Sequence, residues 1–284
     1  MERMIEMIIG NKEFVFSKEK SYIIGILNIT PDSFSDGGKY TNIDGALRQT
    51  ERMVLEGADL IDIGGESTRP GYTAISEQEE IERIAPVIER LKKNCDIPIS
   101  VDTYKWKVAE AAIHAGADMI NDIWGLEFYS DTEHKMAKII AKANVPVCLM
   151  HNRVEGLNCE NEDVFVDMLM TDMKRKVQLA KENGIKVEHI ILDPGVGFAK
   201  NLNENKWCIP AIKHLKQLGY PILLGISNKS MIGMISNLPV DQRKEGTIAL
   251  NVLGRQYGCD FFRVHDVRSN KRALDVADAI LYKE

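Results

Sequence analysis

Short apolar runs in this chain repeatedly end in residues that could hold a planar, donor-rich ligand or an anion. The first is IGILNITPDSFSDGGKY at 24–40, where an apolar run breaks off at Asn28 into hydroxyls, one proline and two aspartates. That segment cannot continue as strand or helix and reads as a functional loop, although its Asp-Gly-Gly taken alone is an ordinary surface turn. Later runs end in Asp62 with Glu66, in Asp102, in Asn121 with Asp122, in His151, in Asp193, in Ser-Asn-Lys-Ser at 227–230, and in Arg263 with His265. A single polar residue of this kind is commonly a satisfied structural group; the whole set points to one site.

Three subsets carry distinct chemistry. Asp102, Asn121 and Asp193 come from three strands whose flanking residues are apolar, so they would point into a dry pocket and need partners there. A flat heterocycle with ring N–H, exocyclic amine and carbonyl groups satisfies all three. Arg69, Lys229, Arg263 and His265 are potential cations on a chain of net charge −6, which suggests an anionic substrate group such as a diphosphate. Asn28 offers a neutral oxygen that suits Mg2+ held mainly through substrate phosphate and water. The segment 227–230 opens a helix, so its backbone N–H groups and the Ser230 hydroxyl either hold a carboxylate or simply cap that helix.

The elements that must position these residues follow from periodicity. Eight β-branched runs, at 22–27, 60–65, 97–102, 118–122, 145–150, 189–193, 221–226 and 260–265, alternate with amphipathic helical patterns. Strand then helix, repeated around the chain, predicts an α/β fold, a (β/α)8 TIM barrel, with a doubly wound open sheet as the alternative topology. Gly57, Gly116 and Gly258, each followed by a small residue and Asp, suit left-handed helix ends. Residues 1–18 show two apolar runs around Gly10-Asn11 and predict a short N-terminal β-hairpin closing the barrel bottom. Nothing resembling a linker divides the chain, so 1–284 reads as a single domain.

Composition bounds the rest. The chain has 284 residues, 44% hydrophobic and 27% charged, as expected of a soluble globular protein. A pI near 5.6 argues against nucleic acid or an anionic membrane as the main partner. Five widely spaced cysteines form no Cys-x-x-Cys pair and read as reduced thiols in a cytoplasmic setting. The N-terminal stretch has no signal-peptide core, and no run approaches membrane-spanning length.

The motifs LNITPDSFSDGG, DIGGESTRPG, ISVDTYK, GADMINDI, ILDPGVGF, GISNKSMIG and RVHDV resemble dihydropteroate synthase in order and spacing across nearly the whole chain. The resemblance implies a (β/α)8 homodimer that joins 6-hydroxymethyl-7,8-dihydropterin diphosphate to 4-aminobenzoate with Mg2+, releases diphosphate in folate synthesis, and is a target of sulfonamides. It implies that Asp102, Asn121, Asp193 and Lys229 hold the pterin, with Ile123 and Met150 lining its slot. Asn28, Thr68, Arg69, Arg263 and His265 would meet the diphosphate and its Mg2+. Thr68, Pro70, Gly197, Phe198, Lys229 and Ser230 would meet the aminobenzoate. The implied reaction is an SN1-type displacement in which Asp102 steadies a pterin cation, Mg2+, Arg263 and His265 stabilise the departing diphosphate, and Lys229 counts among the catalytic residues while holding the pterin. Two departures stand out: Asn228 where the family commonly has Arg, and an altered loop at 152–158. Corrinoid methyltransferases that use methyltetrahydrofolate resemble the Asp102, Asn121 and Asp193 set but should lack the TPDSFSD and lysine motifs. A catalytically silent pterin-binding protein is the third reading.

Overall fold

The computed structural model describes residues 5–16, 20–30, 39–66 and 74–282. Strands β1 (Ile5–Ile9) and β2 (Lys12–Phe16) pair antiparallel around Gly10-Asn11, where Gly10 has φ +62° as a tight hairpin turn requires. There follow β3 (Tyr22–Asn28), α1 (Lys39–Leu55), β4 (Leu60–Gly64), α2 (Glu77–Asn94) and β5 (Ile99–Asp102). Next come α3 (Trp106–Ala115), β6 (Met119–Asp122), α4 (Lys135–Ala143), β7 (Val147–Met150) and α5 (Glu162–Glu182). The chain ends with β8 (Ile190–Asp193), α6 (Leu202–Lys216), β9 (Leu223–Leu224), α7 (Ser230–Ser236), α8 (Lys244–Gln256), β10 (Phe261–Val264) and α9 (Val267–Leu281).

Eight parallel strands run in the order β8-β7-β6-β5-β4-β3-β10-β9, and a bridge between Leu192 and Ile222 joins the two ends. The barrel and hairpin read from periodicity are therefore both present, and the open sheet is not. Strand β9 is shorter than its apolar run suggests. The Ile222 N–H is taken by the Asp260 carboxylate rather than by a neighbouring strand, and Pro221 has no N–H to give.

Packing divides into two layers. Outward strand residues such as Ile23, Ile61, Val101, Ile120 and Phe262 form a continuous core with the surrounding helices. Inward residues Tyr22, Ile24, Leu60, Met119, Cys148, Ile191, Leu223 and Phe261 fill the lower barrel, sealed beneath by Met7, Ile9 and Phe14 of the hairpin. Phe14 meets Tyr22 edge-on at 4.9 Å and Phe261 at 5.4 Å, so the hairpin closes the floor with aromatic contacts.

The repeated Gly-x-Asp motif does more than end helices. Gly116 turns the chain at φ +109°, and two residues on Asp118 accepts the Ile99 N–H at 2.8 Å, tying β6 to β5. Asp59 does the same for Ile23 at 2.9 Å and Asp260 for Ile222 at 2.8 Å. Each carboxylate is also paired with a lysine: Lys12 with Asp59, Lys92 with Asp118, Lys216 with Asp260. Alternate strand pairs are thus stitched at the bottom of the barrel. Asp260→Ala should lose about 2 to 3 kcal/mol in urea unfolding, since the Ile222 N–H would be left buried without a partner. Asp260→Asn, which keeps an acceptor, should lose less; equal losses would remove the stitch as the cause.

Candidate active site

A strand turns alternate side chains to one face, so the inward layer two residues above the apolar floor is fixed once the floor is known. Above Leu60, Met119, Ile191 and Phe261 stand Asp62, Asn121, Asp193 and Arg263. Strand register then aligns the rim: Asn28 is opposite Gly64, Gly64 opposite Asp102, and Asp102 opposite Asn121. Gly64 leaves a notch in this ring. A Cβ there would lie 3.6 Å from Asn28 Oδ1 and 3.9 Å from the Asp102 Cβ.

The charges at the rim are interlocked. Arg263 donates through Nε to Asp62 Oδ2 at 2.5 Å and through Nη2 to Asp102 Oδ2 at 2.6 Å. Asn121 Nδ2 donates to the same Asp62 oxygen at 3.3 Å. Burial pushes the Asp102 carboxyl up to about 7 despite Arg263 beside it, because that guanidinium is divided with Asp62. For Arg263 itself, burial opposes the charge, but the two carboxylates outweigh it and hold its pKa above the usual arginine value. Asp102 Oδ1 is buried and has no partner among the described residues. A ligand N–H is the partner such an oxygen calls for.

On the opposite side, Asp193 accepts the Gly195 N–H at 2.7 Å, and burial raises its carboxyl to about 6. Lys229 is the N-terminal flanking residue of α7, and burial brings its ammonium down to about 8 against the opposing pull of Asp193. Its Nζ stands 4.2 Å over the Phe198 ring, and Gly197 lets it pass, since a Cβ there would lie 3.0 Å from Lys229 Cδ. Ile123 and Met150 form an apolar wall with Tyr104, joined by Trp124, Phe128 and Phe198. His265 is held by Ser227, whose Oγ lies 2.9 Å from Nδ1 and accepts the His265 backbone N–H at 3.2 Å. Ser230 opens α7 and is exposed.

Asn28, Asp102, Asn121, Ile123, Met150, Asp193, Gly197, Phe198, Lys229, Ser230, Arg263 and His265 thus all sit on the C-terminal ends of barrel strands or the loops leaving them. Thr68, Arg69 and Pro70, and most of the first loop at 31–38, lie outside the described residues.

Three rim residues do not face the cavity, which corrects the reading of every strand-end polar group as part of one set. Glu66 accepts from Lys105 Nζ at 2.6 Å, Tyr104 Oη at 2.8 Å and the Ile75 N–H at 2.8 Å; Lys105 in turn binds Glu80 and the Ile75 carbonyl. Asp122, next to inward Asn121, turns the other way and accepts the Trp124 and Leu126 N–H groups at 2.8 and 2.7 Å. His151, next to inward Met150, is fully buried 3.1 Å from Asp172 of α5, and burial lowers its pKa to about 4. Position parity is the physical reason for the last two.

Sequence reading passed over Lys200, which donates to the carbonyls of His151, Gly195 and Phe198 at 3.2, 2.9 and 3.0 Å and so fixes the loop after β8. The signal was a lysine directly after the glycine-rich GVGFA. Asn228 has φ +57°, a conformation Asn tolerates well, and its carbonyl accepts from Arg243 Nη1 at 3.1 Å. In the altered loop, Leu157 is buried in the core and Arg153 pairs with Asp172 at 3.3 Å.

A closed parallel barrel whose upper rim gathers buried carboxylates, an amide, a lysine and a shared arginine beside an aromatic wall defines a TIM-barrel enzyme for a flat, donor-rich substrate. The family described as pterin binding enzyme matches residues 24–265. A dihydropteroate synthase of Clostridium beijerinckii is 54% identical over 97% of this chain and 99% of that protein. A crystal structure of the Clostridium difficile dihydropteroate synthase in the presence of pteroic acid aligns with TM-score 0.87 and 46% identity, covering 94% of this chain and 98% of that one. The Xanthomonas albilineans enzyme with 4-aminobenzoic acid aligns with TM-score 0.90 and 36% identity over 99% and 100% of the two chains. The chain belongs to the pterin binding enzymes and, within them, to the dihydropteroate synthases, which are transferases.

The loop after β8 gives a local test. Gly195 has φ +71°, and a Cβ on it would fall 1.9 Å from the His151 carbonyl oxygen. Gly195→Ala should cost at least about 3 kcal/mol in thermal unfolding. An unchanged Tm would show that the loop is not seated against His151.

Proposed function

We infer that this chain condenses 6-hydroxymethyl-7,8-dihydropterin diphosphate with 4-aminobenzoate, giving 7,8-dihydropteroate and diphosphate, a step of folate synthesis. The observation that carries the reading is one inward-facing set, Asp102, Asn121, Asp193, Lys229 and Arg263, in which the first three are 5 to 9% exposed. The ligands of the related crystal structures agree with it.

Asp102, Asn121 and Asp193 would bind the donor edge of the pterin, with Lys229 beside them and Ile123 and Met150 against its flat face. Phe198, Gly197 and Ser230 would receive the aminobenzoate, together with Thr68 and Pro70. Arg69, Arg263 and His265 would take the diphosphate. In the reaction the methylene C–O bond breaks first and its electron pair leaves with the diphosphate. The arylamine nitrogen then attacks the methylene carbon and gives up a proton. Asp102 meets the intermediate cation: a carboxyl held near 7 by burial ionises readily once a positive charge forms beside it.

Mg2+ would be held through Asn28 at the notch left by Gly64. Among the described residues no group of three His, Cys, Asp or Glu side chains could hold a metal ion, so the substrate phosphates would provide most of its ligands. Bound there, it would neutralise the departing diphosphate. We also assign the chain to a homodimer in the cytoplasm. Exposed Met234, Ile235, Leu253, Val276 and Ile280 on α7 to α9 support the dimer, and five free cysteines support the compartment. No helix among the described residues is long and apolar enough to cross a membrane.

Purified protein given Mg2+, the pterin diphosphate and 4-aminobenzoate should release diphosphate; binding without turnover would overturn the synthase reading. The pH profile gives a second check. Lys229 loses its charge near 8, and Asp193 is the main group opposing that loss. Removing that charge in Asp193→Asn should lower the Lys229 pKa further, so the alkaline limb of kcat/KM should move to lower pH. A limb that stays in place would detach it from Lys229.

A further inference from the structure

We propose that Asp62, buried against Arg263 and Asn121, is the positioning residue that couples the heterocycle side of the cavity to its anion side. The proposal rests on the functional reading above and adds a residue to it. Asp62 is 1% exposed and lies one inward layer beneath Gly64, with its Oδ2 covered by Arg263 and Asn121.

One oxygen of Asp62 receives both the Arg263 Nε–H and the Asn121 Nδ2 amide. Each contact restricts what its partner shows to a substrate. A carboxylate paired with a guanidinium offers only acceptors, so Asn121 must turn its NH2 group downward and present Oδ1 to the ligand. That selects a ligand N–H at this point and rejects a carbonyl. Arg263, fixed at Nε by Asp62 and at Nη2 by Asp102, keeps Nη1 for an anion and cannot rotate about its long side chain. Asp62 also helps to keep the Asp102 carboxyl high, as a second negative charge behind a shared guanidinium.

Charge and positioning predict opposite signs for the loss of Asp62. If only its negative charge mattered, Asp62→Asn would favour an anionic substrate and raise kcat/KM. If Asp62 acts through Arg263 and Asn121, the substitution leaves one neutral acceptor where a carboxylate held both, loosens them and lowers it.

The test is a double-mutant cycle of Asp62→Asn and Arg263→Lys, since lysine keeps the charge but cannot span both carboxylates. In the native background Asp62→Asn should lower kcat/KM for the pterin diphosphate on the order of 10- to 100-fold, leaving KM for 4-aminobenzoate unchanged. On the Arg263→Lys background the same change should cost clearly less, the remainder being the share carried through Asn121. Equal losses in both backgrounds, or a gain in either, overturn the proposal. The Arg263 Nε–H resonance gives a readout free of turnover. It should be downfield and slow to exchange in the native protein and lose that protection in Asp62→Asn. Rapid exchange in the native protein overturns the proposal even if Asp62→Asn does not fold. Absence of native turnover would fail the synthase reading and leave this resonance as the test of Asp62.

Discussion

One buried guanidinium shared between two carboxylates organises the mouth of this barrel. Taking each ion out of water costs several kcal/mol, and the attraction between them offsets that only where geometry is good and remaining polar atoms are satisfied. Arg263 meets the first condition with contacts of 2.5 and 2.6 Å from different nitrogens. The second is met incompletely, because Asp62 Oδ1 and Asp102 Oδ1 are buried without partners among the described residues. Incomplete satisfaction is what a binding site can turn to use, since a substrate that supplies the donor missing at Asp102 relieves a cost already present in the fold.

Such a cluster needs a dry floor and a rigid frame. The floor is the layer of Leu60, Met119, Cys148, Ile191 and Phe261, sealed from below by the hairpin. The frame is the parallel sheet, stitched at its lower end by the Asp59, Asp118 and Asp260 carboxylates. Polarity is therefore graded along the barrel axis: paired ions at the bottom edge, hydrocarbon in the middle, interlocked polar groups at the top. Because inward residues recur every second position, a single step in a strand suffices to pass from floor to site.

The barrel was legible because its signal is periodic: eight apolar runs separated by amphipathic segments admit few topologies. The rim was legible for a related reason, since a strand end flanked by hydrocarbon makes Asp102, Asn121 and Asp193 conspicuous. What sequence did not reveal was direction. Asp122 and His151 lie beside the inward residues Asn121 and Met150, and only the observed register shows that they turn away to brace a turn and a helix. Lys200 escaped notice because carbonyl acceptors leave no residue-type signature. The helix-terminal Gly57, Gly116 and Gly258 are recognisable from residue type alone, while the aspartates that follow them carry strand-pairing contacts that no spacing rule announces.

The same polar residue types thus divide into two populations by where their partners come from. Glu66, Lys105, Asp122, His151 and Lys200 find theirs within the chain, through carbonyls, backbone N–H groups and one another. Asp102, Asp193 and Lys229 are only partly compensated, and burial moves each toward its neutral form, to about 7, about 6 and about 8. Opposite shifts in acids and base lower the charge that must be buried before a substrate arrives. They also leave each group close to the pH at which a new neighbour decides its state, so that a developing cation or a departing anion can recruit charge where it forms. The bracing groups keep the loops in place while this happens, so that the second population can remain incomplete without loosening the frame around it.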